Sequence, residues 1–277
     1  MIFSSFSFLR EHIHLPLCRS RIPSPRRLGT FLLALILLPL SYVLGAFAAT
    51  VIPAVPASAD GNWGLSFQQE GKPPVANATA DELKQYNAWY ADLSGEKVIY
   101  LTFDAGYENG CTAAILDALK KHSAPACFFV VGNYIDTAPE LVLRMGQEGH
   151  IVGNHTYRHY TMDEVDTATA KEEITFLHNF IKKNFNYEMT LFRFPKGEFS
   201  QSTLALAKDL GYKSVFWSFA YRDWLVDEQP DPQQAIETIE SKCHPGAIYL
   251  LHAVSQTNAQ ILGQVIDDLR AQGYTFC

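Results

Sequence analysis

Thiols are scarce in this chain and poorly placed to meet one another. Five cysteines are spread over 277 residues and none forms a C-x-x-C pair, which excludes a thiolate zinc site. No G-x-G-x-x-G follows the first strand-like run, so a dinucleotide fold loses its phosphate-binding turn. The G-x-S-x-G elbow of an Asp-His-Ser hydrolase is missing too. Positive charge is thin beyond residue 59, where 17 Lys and Arg face 28 Asp and Glu, a net charge of −11. That balance argues against nucleic acid as a ligand. It also makes a polyanionic substrate less natural, although a local cleft can depart from the net charge. What remains is ordinary globular material, 48 % hydrophobic and 18 % charged. The 218 residues from 60 onward are enough to build a core without disulfides, so Cys111, Cys127, Cys243 and Cys277 are expected as free thiols.

The first 59 residues differ in character. Arg10, Arg19, Arg21, Arg26 and Arg27 precede an apolar run from Leu28 to about Ile52, and Ala57-Ser58-Ala59 follows. A basic region, an apolar stretch and an A-x-A site read as an export signal. The run also reaches the ~20 residues that span a bilayer, so an uncleaved anchor stays open. Arginines on one side only argue against a buried core helix.

Residues 60–95 form a mixed lead-in with a short helix expected within Asp81–Leu93. From Lys97 apolar runs alternate with amphipathic stretches. Strands are expected at Val98–Phe103, Ala126–Val131, His150–Asn154, Leu191–Phe194, Lys213–Ser218, Ala247–Leu251 and Tyr274–Phe276. Helices are expected at Thr112–Lys121, Pro139–Glu148, Ala168–Asn184, Ser202–Leu210, Pro232–Ser241 and Ala259–Gln272. Strand, helix, strand in repetition means parallel strands joined by crossovers, in a barrel or an open sheet. Polar residues favour the barrel. Asp104, Asn133, His155, Arg193, Asp223 and His252 each lie at or just past a strand's end. A barrel gathers such ends at one mouth, whereas an open sheet would string them along ~25 Å at roughly 4.8 Å per strand. The fold class is therefore α/β, a distorted (β/α)7 barrel of TIM-like type over 96–277.

Five segments then occur in order: Thr102-Phe103-Asp104-Ala105-Gly106, His155-Thr156-Tyr157-Arg158-His159, Arg193-Phe194-Pro195-Lys196-Gly197, Asp223-Trp224 and Leu250-Leu251-His252. Together they resemble the five motifs of the polysaccharide deacetylases, the NodB-homology domain of carbohydrate esterase family 4. Phe103 to Gly110, Phe216-Trp217-Ser218, His244 to His252 and the lead-in Asn62-Trp63-Gly64 resemble more narrowly the PdaA-type deacetylases of spore-forming bacteria. That resemblance implies an exported, cell-wall-associated hydrolase acting on peptidoglycan as a monomer. It removes acetyl from N-acetylmuramic acid before muramic δ-lactam formation in spore cortex. N-acetylglucosamine or chitin-type polymers are the alternative substrates.

The resemblance also distributes roles. Asp104 is the general base, held by Arg193. His155 and His159 are metal ligands, on one face if their segment is helical or brought together by a tight loop. Imidazole suits zinc and other first-row divalent ions. His252 is the general acid, oriented and raised in pKa by Asp223. The N–H of Phe194 is a candidate oxyanion donor. Read from residue type, Trp224, Phe194 and Tyr107 are candidates to stack on a sugar ring, with core packing the commoner role for each. Asn109 is expected to shape the loop after the first strand, with substrate within its reach as the alternative. His122 and His178 are expected to be solvated.

One position departs from the family pattern. A second aspartate of the first motif, a metal ligand in the general family, is Ala105 here. Two neutral imidazoles should hold zinc more weakly than a three-ligand site. A glycan-binding pseudoenzyme is therefore the competing reading. A two-carboxylate glycosidase would need Glu198 or Asp223 about 5–9.5 Å from Asp104. The chain stops at Cys277, directly after the last expected strand, where a covering helix would be expected.

Overall fold

The computed structural model describes residues 61–277, so the expected export signal or anchor lies outside the described residues. The lead-in carries β1 (Gly61–Asn62), β2 (Leu65–Ser66), β3 (Val75–Ala76), α1 (Ala80–Gln85) and β4 (Ala88–Trp89). Then come β5 (Val98–Ala105), α2 (Thr112–Lys121), β6 (Ala126–Val130), α3 (Gly132–Thr137), α4 (Pro139–Gln147), β7 (Ile151–Asn154) and α5 (Thr167–Phe185). The remainder is β8 (Leu191–Phe192), β9 (Glu198–Phe199), α6 (Gln201–Asp209), β10 (Lys213–Val215), β11 (Phe219–Ala220), α7 (Pro232–Ser241), β12 (Ala247–His252), α8 (Gln256–Ala271) and β13 (Thr275–Phe276).

The main sheet is parallel and runs β12-β5-β6-β7-β8-β10. Every residue of β6 is buried, as expected for a parallel strand with both faces covered. The helices bury one stripe each; α8 turns in Ile261, Leu262, Val265, Ile266 and Leu269 at the three- and four-residue spacing of an amphipathic helix.

The sheet curls on itself because one stretch serves both of its ends. Residues Lys213–Val215 pair with β8, and Phe219–Ala220, in the same run, pair with β12. Between them the chain bends. Phe216 turns inward to stack on Trp63 at 4.5 Å, and its N–H donates to the Trp89 carbonyl at 2.8 Å. The lead-in fills the gap so opened: β4 lies parallel to β10, and the Asp92 N–H donates to Gly246 at 2.8 Å. This is the distortion of the barrel.

Three expectations change in detail. The helix expected within Asp81–Leu93 stops at Gln85, because Asn87 takes a left-handed φ of 56° and β4 follows. Helix α3 was not foreseen. The last strand, β13, pairs only with Val98 and Ile99, while β6 takes Leu101–Ala105; it wedges into the lower part of β5 rather than forming a full stave.

Among the described residues no helix is long and apolar enough to cross a membrane. None of the four cysteines described forms a disulfide, and Cys127 and Cys243 are buried. Gly246 has φ 74°, and a Cβ there would collide with the Asp92 carbonyl. Gly246→Val is expected to lower the unfolding free energy by about 2–4 kcal/mol, combining strain at positive φ with overpacking. The denaturant midpoint measures it, and an unchanged midpoint would show that the lead-in contact is dispensable.

Candidate active site

Asp104 stands near the C-terminal end of β5. Its Oδ1 accepts from Arg193 Nη1 at 2.9 Å, and its Oδ2 lies 3.3 Å from His155 Nε2. Arg193 has no exposed surface. Its remaining donors reach the carbonyls of Val215 at 2.9 Å and Phe216 at 3.4 Å, and the guanidinium lies 4.2 Å from the Phe129 ring centroid. A buried guanidinium is tolerable only when its donors are engaged and a counter-charge is near. Burial by itself would raise the Asp104 pKa. The positive side chains facing it, His155, Arg193 and His252, outweigh burial and hold it below the usual carboxylate value.

The two candidate ligand histidines lie on a loop, not a helix. Thr156 and His159 both adopt left-handed backbone, φ 65° and 61°. The loop is tied by groups that sequence reasoning missed. Asn154, fully buried, accepts from the Thr156 N–H at 2.9 Å and donates to the Ile174 carbonyl and Tyr212 hydroxyl. Glu173, buried on α5, accepts from the Arg158 N–H at 2.6 Å and from its guanidinium at 3.0 Å. Nothing in the spacing of Glu173 marks it, since the partner is a loop fifteen residues earlier.

His155 Nδ1 is 2.8 Å from the Arg193 carbonyl. A carbonyl only accepts, so Nδ1 carries the proton and Nε2 keeps its lone pair. His159 Nε2 approaches that lone pair at 3.2 Å. Burial lowers the pKa of His155, and burial followed by the His155 charge pushes His159 down to about 4. Imidazole binds metal in its neutral form, which both shifts favour.

Across the mouth, His252 on β12 is register partner to Asp104 on β5, and the Ala253 N–H donates to the Asp104 carbonyl at 3.0 Å. His252 Nδ1 meets Asp223 Oδ1 at 2.6 Å. Asp223 Oδ2 accepts from the His252 N–H at 2.8 Å and from Asn258 Nδ2 at 2.6 Å. Burial pulls the His252 pKa down, but the hydrogen bond and charge of Asp223, then the charge of Asp104, raise it above the ordinary value. Asn258 is a second missed residue; it sits in the first turn of α8 and locks Asp223 from behind.

The other expected site residues divide. Trp224 is 46 % exposed with its ring 5.4 Å from that of His252. Tyr107 is equally exposed. Phe194 is 1 % exposed and packs among Phe192, Phe199 and Phe216, so its ring cannot stack on a sugar and belongs to the core; only its main-chain N–H remains for substrate. Asn109 spends its amide on the Val254 carbonyl at 2.8 Å, clipping two rim loops together rather than reaching outward. His178 is not solvated: it meets the Tyr212 hydroxyl at 2.7 Å. His122 meets Asp267 at 2.9 Å. Asp223 is committed to His252, which removes it as the second acid of a glycosidase.

Ala105 is fully buried and offers no donor. Among the described residues no group of three or more His, Cys, Asp or Glu is placed to hold a metal ion. Two neutral imidazoles with Nε2 atoms 3.2 Å apart nevertheless fit a divalent ion, since two bonds of ~2.0–2.1 Å can span that gap. Solvent would have to complete the coordination.

Residues 92–215 of the chain match the family model for polysaccharide deacetylases. The peptidoglycan-N-acetylmuramic acid deacetylase PdaA of Bacillus subtilis is 41 % identical over 234 residues, spanning 84 % of this chain and 88 % of that one. The solved structure of PdaA, a family 4 carbohydrate esterase, superposes with a TM-score of 0.74 over 78 % of this chain and 93 % of that chain. A family 4 pseudoenzyme from Bacillus anthracis is 26 % identical, with a TM-score of 0.65 over 68 % of this chain and 66 % of that chain. The chain belongs to the polysaccharide deacetylase family, carbohydrate esterase family 4.

Arg193→Met leaves the Asp104 carboxylate buried without its cation. The expected cost is about 3–5 kcal/mol of stability and an upward move of the Asp104 pKa, read by carboxyl-carbon NMR titration. An unmoved titration would show that Arg193 does not hold that charge.

Proposed function

We propose that this chain hydrolyses the N-acetyl group of an amino sugar in cell-wall polysaccharide, with N-acetylmuramic acid of peptidoglycan as the substrate. The observation that carries this reading is the pair Asp104 and His252. They are neighbours in register on adjacent strands, yet their surroundings drive one pKa down and the other up. Two titratable groups pushed apart in this way divide into a base and an acid. The relationship to PdaA supports the choice of sugar, and with it a step ahead of muramic δ-lactam formation in spore cortex. The export signal expected over 1–59 accords with a wall substrate.

Asp104 Oδ1 is committed to Arg193, which leaves Oδ2 to take a proton from the attacking water. His252 Nδ1 is committed to Asp223, which leaves Nε2 to protonate the amine nitrogen as the C–N bond breaks. The Phe194 N–H is the main-chain donor offered to the oxyanion. Trp224 and Tyr107 present exposed aromatic faces to a sugar ring. A divalent ion held by His155 and His159, zinc by the preference of imidazole, supplies Lewis acidity at the acetyl carbonyl and at water. With only two protein ligands it is held weakly and is lost on purification.

Purified full-length protein, resupplied with zinc, is incubated with peptide-free oligomers containing N-acetylmuramic acid and N-acetylglucosamine, and the lost acetyl groups are located by mass spectrometry. Loss from muramic residues is the expected result. Asp104→Asn and His252→Ala should each lose at least ~100-fold. Binding without acetate release would favour the pseudoenzyme reading that Ala105 prompts.

Chelation should abolish turnover and added zinc restore it; turnover indifferent to chelator removes the metal from the proposal. The pH profile follows from His252, which must be protonated. kcat/KM should fall as pH rises through its raised pKa. Asp223→Asn removes the cause of the increase, so that limb should move to lower pH, and a limb that stays in place assigns the acid to another group.

A further inference from the structure

The chain beyond residue 59 carries a net charge of −11, yet the rim beside the imidazole pair holds a cation with no acidic partner. Lys196 lies three residues after Arg193. Its ammonium donates to Thr161 Oγ1 at 2.9 Å, and among the described residues no carboxylate oxygen lies within 4.0 Å of it. Thr161 is two residues past His159, so this bond brings the ammonium to the segment that carries the second imidazole. An ammonium has three donors, and the Thr161 hydroxyl uses one.

The backbone holds Lys196 outward at a cost. Its φ is 58°, in the left-handed region, and it is exposed between Pro195 and Gly197, which are both buried. Gly197, at φ 72°, allows no Cβ because Trp217 and Trp63 occupy that space. A non-glycine residue in that region persists only when its surroundings enforce it. Exposed Tyr160, immediately before Thr161, adds an aromatic face on the same segment.

We propose that Lys196 is a specificity-determining residue whose ammonium, with the Thr161 hydroxyl beside it, binds the free carboxylate of the sugar's 3-O-lactyl group. This rests on the reading of the site as an amino-sugar deacetylase and deepens it. Muramic acid stripped of peptide bears that carboxylate and glucosamine does not. A lone cation on an acidic protein, next to the reacting centre, therefore separates the two sugars by charge.

The test uses full-length protein and two peptide-free glycan substrates. One carries the free lactyl carboxylate, and in the other this group is converted to its methylamide. Wild type should favour the carboxylate form about tenfold or more in kcat/KM, the scale of a hydrogen bond to a charged group. Lys196→Met should lose about that factor on the carboxylate form while changing less than about twofold on the amide, and Lys196→Arg should keep the preference. Binding of both glycans to Asp104→Asn, with and without Lys196→Met, gives the same comparison without turnover. Thermal unfolding of Lys196→Met checks that it folds. Equal losses on both substrates, or no loss on either, would overturn the proposal while leaving the deacetylase reading intact. A wild type that binds and deacetylates neither glycan overturns both.

Discussion

Arg193 bears a permanent charge with no exposed surface, and the candidate site is arranged around satisfying it. Its guanidinium needs an anion, which Asp104 provides, and further acceptors, which the carbonyls of Val215 and Phe216 provide. Those carbonyls are available because β10 ends at Val215 and the chain bends there. The Arg193 carbonyl in turn fixes the His155 tautomer. One residue thus ties Asp104, His155 and the bend of the sheet into a single arrangement. A neutral side chain could fill the volume, but it would orient none of these groups.

The second half of the site is built on a different principle. His252 is oriented by a carboxylate that is itself fully engaged, since Asp223 accepts from the His252 ring, the His252 N–H and Asn258. The Asp223 hydrogen bond and charge favour imidazolium at His252. Asp104 and His252 sit on neighbouring strands, yet each answers to its own partner, which keeps their proton affinities apart. Ala105, fully buried, adds no donor beside the imidazole pair.

Much of this was legible in the chain. Alternating apolar runs and amphipathic stretches located six of the helices and the parallel strands, because period and burial are local properties. Asp104, His155, Arg193, Asp223 and His252 could be singled out by residue type at strand ends and His159 by its motif's resemblance to the family, and the structure brings them together. Asn154, Glu173 and Asn258 were not legible. Each is an ordinary polar residue whose importance arises from a partner on another element. For Phe194 and Asn109 residue type left two roles open, and packing put the Phe194 ring in the core while a rim hydrogen bond made Asn109 a loop-shaping residue.

Composition and spacing alone determined that this is an acidic α/β domain with its chemistry at the C-terminal ends of parallel strands, since strand alternation and charge count do not depend on distant contacts. Only the tertiary structure decided how the ring closes. A single run, Lys213–Ala220, pairs with one edge of the sheet and then the other, and the lead-in strand plugs the gap. Hydrogen-bond partners in a parallel sheet come from remote segments, so no local pattern encodes which edge a strand will meet. The left-handed turns at Thr156, His159 and Lys196 are likewise imposed from outside, because no local preference would place those residues there.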